Sequence, residues 1–288
     1  MTQCTICGSA RPRLLCRKGG AVYHFCPECR VIFQYPPPPP DAMLSYADTE
    51  YEDGLYRDYV EAREMKLVHF RYRLERLLPL VRCGRLLDIG CSCGYFMEAA
   101  AERGFEVEGL EFSGAAIAAA DASVRPRISC SSVDAFDSSR SYDLITAFDL
   151  IEHVPQPQDF LRKVRRLLAP GGWLVMTTPD AGHFLRHVMA SNWPMLQPMQ
   201  HLTIFSRQAM RLALEEAGFD DIRFERATKT ISYDYLTDQL RTLTPALHKG
   251  LRAVGRCLPA RTRRKYRHVS IGEFMVMARP ADARETNQ

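Results

Sequence analysis

Three groups of residues in this 288-residue chain have the types and spacing to do chemistry. The first is Cys4-x2-Cys7 with Cys26-x2-Cys29, two CxxC knuckles separated by 18 residues. Four thiolates at that spacing close a tetrahedral site around zinc and leave no open position for a reacting molecule. Such a metal folds its module and takes no part in turnover. Cys16 and His24 lie inside the loop as substitute ligands by type, and Gly8 stands where the first knuckle calls for positive φ. The second group is Asp88-Ile-Gly90-Cys-Ser92-Cys-Gly94, with Glu111 following 17 residues after Gly94. Glycines let a ligand approach the backbone, a helix that follows them offers unpaired N–H groups, and an acid ~20 residues on can grip ribose hydroxyls. The third group is His153 and His201, imidazoles suited to accept a proton near neutral pH. His183, His187 and Trp193 occupy the same 180–204 stretch and are candidate contacts to an acceptor.

These residues need elements to hold them. Apolar runs at Leu86–Ile89, Phe105–Leu110, Arg127–Val133, Tyr142–Phe148, Gly172–Thr178, Ile222–Arg226 and Phe274–Arg279 read as strands, with helices between the earlier ones. That alternation predicts an α/β chain with a Rossmann-like, doubly wound, mostly parallel seven-stranded sheet, preceded by a small N-terminal zinc ribbon. Ligands of such a sheet bind at the carboxyl ends of its strands, where His153 and His201 also fall. Ala169-Pro170-Gly171-Gly172 reads as the stop of a helix over 159–168, glycine supplying a left-handed cap. Five prolines, Pro36 to Pro40, form a stiff spacer. The organisation expected is therefore a ribbon and linker over 1–40, a helical lid segment over 41–82, and the main domain over 83–288 with insertions at 180–204 and 228–270. A helix from about Tyr56 to Leu80 carries Leu67, Phe70, Leu74 and Leu77 on one face. Tyr46, Tyr51 and Tyr56 either close over a ligand or pack that helix onto the core.

In their order, Asp88-Ile-Gly90-x-Ser92-x-Gly94, Glu111, Tyr142-Asp143-Leu-Ile, Asp149-Leu-Ile-Glu152-His153-Val154 and Leu168-Ala-Pro170-Gly171-Gly172 resemble the motifs of class I S-adenosylmethionine-dependent methyltransferases. The resemblance covers about residues 83 to 279. It implies S-adenosylmethionine (SAM) as cofactor, with Asp88, Gly90, Ser92 and Gly94 lining its methionine and ribose side and Glu111 on the ribose hydroxyls. It implies Phe112 flanking the adenine, Val133 or Asp134 at the adenine edge, and Asp149 at the end of the fourth strand. Ser92 replaces the family's usual middle glycine. A dehydrogenase is disfavoured because the loop lacks the G-x-G-x-x-G fingerprint. With its four-cysteine module the chain also resembles zinc-binding relatives that methylate sugars in deoxysugar and surface-glycan pathways. Those relatives imply His153 and His201 as catalytic residues, Gln200 replacing an acid, and a tyrosine near Tyr46 or Tyr51. Asp-Leu-Ile-Glu-His-Val is similar, too, to quinone-pathway O-methyltransferases. Methyl transfer to oxygen or carbon of a small-molecule, sugar or lipid-linked glycan intermediate is thus the expected activity.

Charge bears on the partners. The formal total is only +4, yet residues 1–35 carry five basic side chains and one acid, and residues 241–270 carry nine basic side chains and none. The rest must sum to −9. From Leu243, apolar residues recur every three or four positions among Lys249, Arg252 and Arg256, so residues 241–270 are either a cationic helix on an anionic membrane face or a lid packed on the sheet. An RNA methyltransferase gripping phosphates with its basic ribbon is the runner-up. No Asn-Pro-Pro-Tyr type motif follows the fourth strand, and the acidic core speaks against nucleic acid. A non-catalytic zinc adaptor predicts loss of Asp88, Gly90 or Glu111, and all three are present. No apolar run reaches the ~18 residues of a membrane span, and Met1-Thr2-Gln3-Cys4 does not begin a secretory signal, so a cytoplasmic location is expected, peripheral at the inner membrane face if the cationic segment docks there.

Overall fold

The computed structural model describes residues 2–39, 42–43, 62–243 and 245–281, with side chains over 239–247 left aside. Tyr46, Tyr51 and Tyr56 therefore lie outside the described residues. The chain opens with β1 (Arg13–Lys18), β2 (Ala21–Phe25) and β3 (Ile32–Gln34), and continues through α1 (Arg63–Leu77), β4 (Arg85–Ile89), α2 (Tyr95–Ala101), β5 (Glu106–Glu111), α3 (Gly114–Ala119), β6 (Ile128–Cys130) and β7 (Tyr142–Phe148). Next come α4 (Pro157–Leu167), β8 (Leu168–Pro179), α5 (Leu185–Met189), β9 (Thr203–Ile204), α6 (Arg207–Glu216), β10 (Phe219–Arg226) and β11 (Lys229–Ile231). The last elements are α7 (Tyr233–Leu243), α8 (Pro245–Arg256), α9 (Ala260–Arg263), β12 (Arg267–Val269) and β13 (Glu273–Pro280).

Seven strands form the main sheet in the order β10-β13-β8-β7-β4-β5-β6, parallel from β8 through β6, with β13 antiparallel to both of its neighbours. The chain enters the sheet at β4 and winds outward to β6, then returns to β7 on the other side of β4. That reversal opens a crevice between β4 and β7 at their carboxyl ends. The buried faces are near-continuous runs of Leu, Ile, Val and Met, as expected when helices cover both sides. Gly109 in β5 makes one close crossing possible. A Cβ there would meet Met97 Sδ at 2.5 Å and Cys91 Sγ at 2.7 Å, so glycine lets α2 and the preceding loop lie against the strand.

One expectation needs correction. The helix α4 ends at Leu168 in extended conformation, not on a left-handed glycine. Gly171 does have φ of +74°, but it turns the start of β8, which begins at Leu168 and not at Gly172. The reason is that Pro170, which has no N–H to donate, sits inside the irregular first pairing of β8 with β7. The expected helix from about Tyr56 lies outside the described residues before position 62; from Arg63 its buried face includes His69 and Arg73 beside Leu67, Leu74 and Leu77.

The ribbon is joined to the main domain by main-chain pairing. β3 pairs with β9, giving a four-stranded sheet β1-β2-β3-β9 whose last strand belongs to residues 203–204. Cys4, Cys26, Cys29, Val31 and Phe33 share a core with Phe205, Ala209 and Met210. The 180–204 stretch completes a smaller core in which Trp193 and Leu196 pack on Tyr23, Ile32 and Ile204. Trp193, 2% exposed, is thus a packing residue at the ribbon.

Candidate active site and zinc site

The four cysteines converge as their spacing requires. Cys4 and Cys29 sulfurs lie 3.5 Å apart, Cys7 and Cys26 sulfurs 3.6 Å, and all four fall within 4.8 Å of one another. Zinc–sulfur bonds of about 2.3 Å in a tetrahedron place sulfurs about 3.8 Å apart, so the donor set fits that ion. Both knuckles turn alike. The Gly8 N–H donates to the Cys4 carbonyl and the Arg30 N–H to the Cys26 carbonyl, with φ of +67° and +64°. The neighbouring Cys29 sulfur pulls the Cys4 thiol down to about 5 against its burial, while Cys29 itself is raised. Cys16 and His24 stand apart from the cluster, Cys16 in β1 and His24 stacked on Phe33 at 5.7 Å.

At the carboxyl end of β4, Gly90 and Cys91 N–H groups donate to the Leu110 carbonyl, which welds the loop to β5. Gly90, Ser92 and Gly94 all have positive φ, at +72°, +51° and +70°. Ser92 thus keeps the left-handed backbone that the family's glycine would take, and its N–H donates to Glu111 Oε2 at 2.9 Å. Glu111 Oε1 accepts the N–H groups of Phe112 and Ser113, both at 2.9 Å. Burial raises the Glu111 pKa and these three N–H groups pull against it. Asp88, 3% exposed, accepts the Thr146 hydroxyl at 2.7 Å, and burial pushes it up to about 7. Phe112 is 48% exposed at the end of β5, Val133 is buried and Asp134 exposed just beyond β6. Of the residues expected to hold the cofactor, those at 88–94 and 111–112 lie at the carboxyl ends of β4 and β5, Val133 and Asp134 beyond β6, and Asp149 at the end of β7.

At the carboxyl ends of β7 and β8 a second cluster forms. Asp149 has φ of +51°. Its N–H donates to the Thr177 carbonyl, and the Thr177 hydroxyl donates to its carboxylate at 2.8 Å. Burial opposes its charge, but Lys229 and Arg73 outweigh it and hold Asp149 well below the ordinary range. Lys229 Nζ lies 3.6 Å from Asp149 and 2.6 Å from Glu273, and that pairing overcomes burial to raise its pKa. Because β13 runs antiparallel, it is its first residue, Glu273, that reaches this edge. From α1, Arg73 lies over the Phe148 ring at 4.3 Å, and His69 Nδ1 is 3.2 Å from the Thr230 hydroxyl.

His153 and His201 face each other with ring centroids 4.9 Å apart. Each Nδ1 meets a carbonyl, that of Gln200 at 3.0 Å for His153 and that of Met195 at 2.7 Å for His201. A carbonyl only accepts, so each Nδ1 carries the hydrogen and each Nε2 keeps a lone pair. Burial lowers both pKa values, His201 to about 3 with His153 adding to the effect, so both rings are neutral at physiological pH. Glu152, 1% exposed, accepts the Thr178 hydroxyl at 2.9 Å, and burial with Asp149 nearby pushes it up to about 8. Sequence reasoning singled out neither Glu152 nor Lys229, Glu273, His69 and Arg73. Only Glu152 had a local signal, its place beside His153.

Such a sheet, with a glycine-turned loop and an acid at the adjoining strand end, defines a nucleoside-cofactor enzyme of the Rossmann-like class. The family model described as "Methyltransferase domain" matches residues 59–223, more than half of the chain, and the chain belongs to that family. It is a class I SAM-dependent methyltransferase. Among solved structures, the YcgJ protein of Bacillus subtilis superposes with a TM-score of 0.53 at 14% identity, covering 74% of this chain and 99% of that one. A SAM-dependent methyltransferase from Archaeoglobus fulgidus gives 0.51 at 17%, covering 76% and 98%. At these identities the likeness is one of fold. A ubiquinone biosynthesis O-methyltransferase of Burkholderia orbicola (strain MC0-3) is 34% identical over 101 residues, 33% of this chain and 44% of the relative. One from Bordetella avium (strain 197N) is 31% identical over 112 residues, 36% and 46%. The match spans less than half the length of these relatives.

Proposed function

We propose that the chain transfers the methyl group of SAM to an oxygen of a small-molecule or glycan intermediate, with His201 and His153 as the catalytic residues. The observation that carries this reading is the pair of facing imidazoles, each held at Nδ1 by a backbone carbonyl so that Nε2 is the atom left to accept a proton. When bound, SAM supplies an electrophilic methyl on a sulfonium. The residues at 88–94 and 111–113, with Val133 and Asp134, hold it by backbone and carboxylate contacts. A hydroxyl is a weak nucleophile, so the chain must take its proton as the new bond forms. Gln200 cannot carry one, and in this reading an imidazole Nε2 accepts it. The O-methyltransferase relatives support oxygen as the acceptor atom. Turnover should fall about 10²- to 10⁴-fold in His201→Ala and His153→Ala, the span of general-base catalysis, with SAM affinity by calorimetry within about twofold. Undiminished turnover in the double variant sinks the reading.

The four thiols hold a structural zinc in this proposal, and the cationic segment meets an anionic membrane face. Lys249, Arg252, Arg256, Arg261, Arg264 and Lys265 are exposed, and none is in an ion pair among the described residues. No helix among the described residues is long and apolar enough to cross a membrane, so contact would be peripheral, at the inner face for a cytoplasmic enzyme. Basic residues near such a surface contribute about 1 kcal/mol each. Sedimentation with phosphatidylglycerol vesicles should exceed that with phosphatidylcholine, and the triple change Lys249→Gln, Arg252→Gln, Arg256→Gln should reduce it. Equal binding to neutral vesicles removes the membrane assignment.

A further inference from the structure

We propose that the four-cysteine ribbon is the brace that sets His201 against His153, with Gln34 as the positioning residue that transmits it. The inference rests on the catalytic reading of His201. Leu202, the next residue, is the hub. Its N–H donates to the Glu152 carbonyl at 2.8 Å, and its own carbonyl accepts the Gln34 N–H at 2.8 Å. One residue thereby joins the turn that carries His153 to the last strand of the ribbon.

The strand that follows is too short to hold itself. β9 has two residues, and its partners are Ile32 and Phe33 of β3, opposite Ile204 and Thr203. Beyond it, the Ser206 hydroxyl donates at 2.8 Å to the carbonyl of Cys29, one of the four zinc-type ligands. Residues 202–206 are therefore clamped to the ribbon at both ends. The imidazole is tied to the same body a second time, because its Nδ1 partner, the Met195 carbonyl, belongs to the segment whose Trp193 and Leu196 pack on Tyr23 and Ile32. Both the backbone and the ring of His201 are thus positioned through ribbon contacts. A misplacement of about 1 Å by a change remote from the chemistry can lower turnover about 10²-fold. A zinc ion at the knuckles would fix the Cys29 carbonyl and the path of β3, so metal content and His201 geometry are coupled.

Gln34→Pro removes the N–H that the Leu202 carbonyl accepts, and Gln34→Ala keeps it. Both variants are made in the full chain and compared for zinc per chain, SAM affinity by calorimetry, kcat, and the nitrogen-15 signals of the His201 ring. The expected result for Gln34→Pro is retained zinc and SAM affinity, kcat lower by about 10²-fold, and a displaced His201 signal. For Gln34→Ala all four remain near wild type. Wild-type kcat and an unmoved ring signal in Gln34→Pro overturn the proposal. Should that variant fail to fold, chelation of zinc from the reduced wild-type protein serves instead. The His201 signal then moves while SAM affinity holds, and an unmoved signal overturns the brace. Wild-type turnover in His201→Ala refutes the catalytic reading separately, since the ring signal reports the brace whatever the ring does.

Discussion

The glycine-loop end of the sheet and the histidine end are built by opposite means. At the first, residues 88–94 and 111–113 sit at the carboxyl ends of two adjacent parallel strands, and backbone N–H groups do most of the polar work, three of them on Glu111 alone. At the second, His153, His201, Lys229 and Glu273 arrive from segments spread over 120 positions, and side chains with their carbonyl partners do the work. A site made of main chain needs only short-range sequence, whereas a site made of side chains exists only once distant segments are packed.

The largest expected effect on cofactor binding tests the first half of that contrast. Glu111→Ala should weaken SAM binding about 10²-fold, because hydrogen bonds to a charged group contribute about 1.5–3 kcal/mol each and the loop loses its anchor as well. Calorimetry decides it, and wild-type affinity would mean that the loop holds without its acid. A smaller effect tests the second half. Glu152 is raised from 4.5 to about 8 by burial and by Asp149, so the native state keeps a proton that the unfolded chain gives up. Its contribution to stability is fully present below about pH 4.5 and is lost as pH rises toward about 8. Glu152→Gln should therefore flatten the fall in urea midpoint over that window, by no more than about 1.4 kcal/mol per pH unit. An unaltered slope would show the carboxyl already ionised, and the histidine end would then be less dry than its burial implies.

The same contrast explains what could be read beforehand. The knuckles, the loop and Glu111 are each short-range patterns, and so are the seven strands, whose apolar runs mark them without their partners. Ser92 looked like a departure and is none, since its backbone takes the glycine conformation. Lys229, by comparison, is one basic residue among 38 until β11 brings it to Asp149 and Glu273. Nothing in Thr203-Ile204 marks a strand, because two residues show no period. Gly109 has no turn to signal it, only the approach of Met97 and Cys91. The helix stop near Leu168 is legible but its cap is not, because a Pro-Gly-Gly run serves equally well to cap a helix or to kink the start of a strand.

The pairing of β3 with β9 also bears on the order in which the chain is made. Residues 32–34 leave the ribosome about 170 positions before residues 203–204, which at 5–20 residues per second is roughly 10 to 30 seconds. For that interval β3 presents an unpaired apolar edge, the kind of surface on which nascent chains stick to one another. On the proposed zinc reading, early metal capture by the cysteines keeps the ribbon folded meanwhile, and zinc supply then governs how much of this protein is recovered in soluble form.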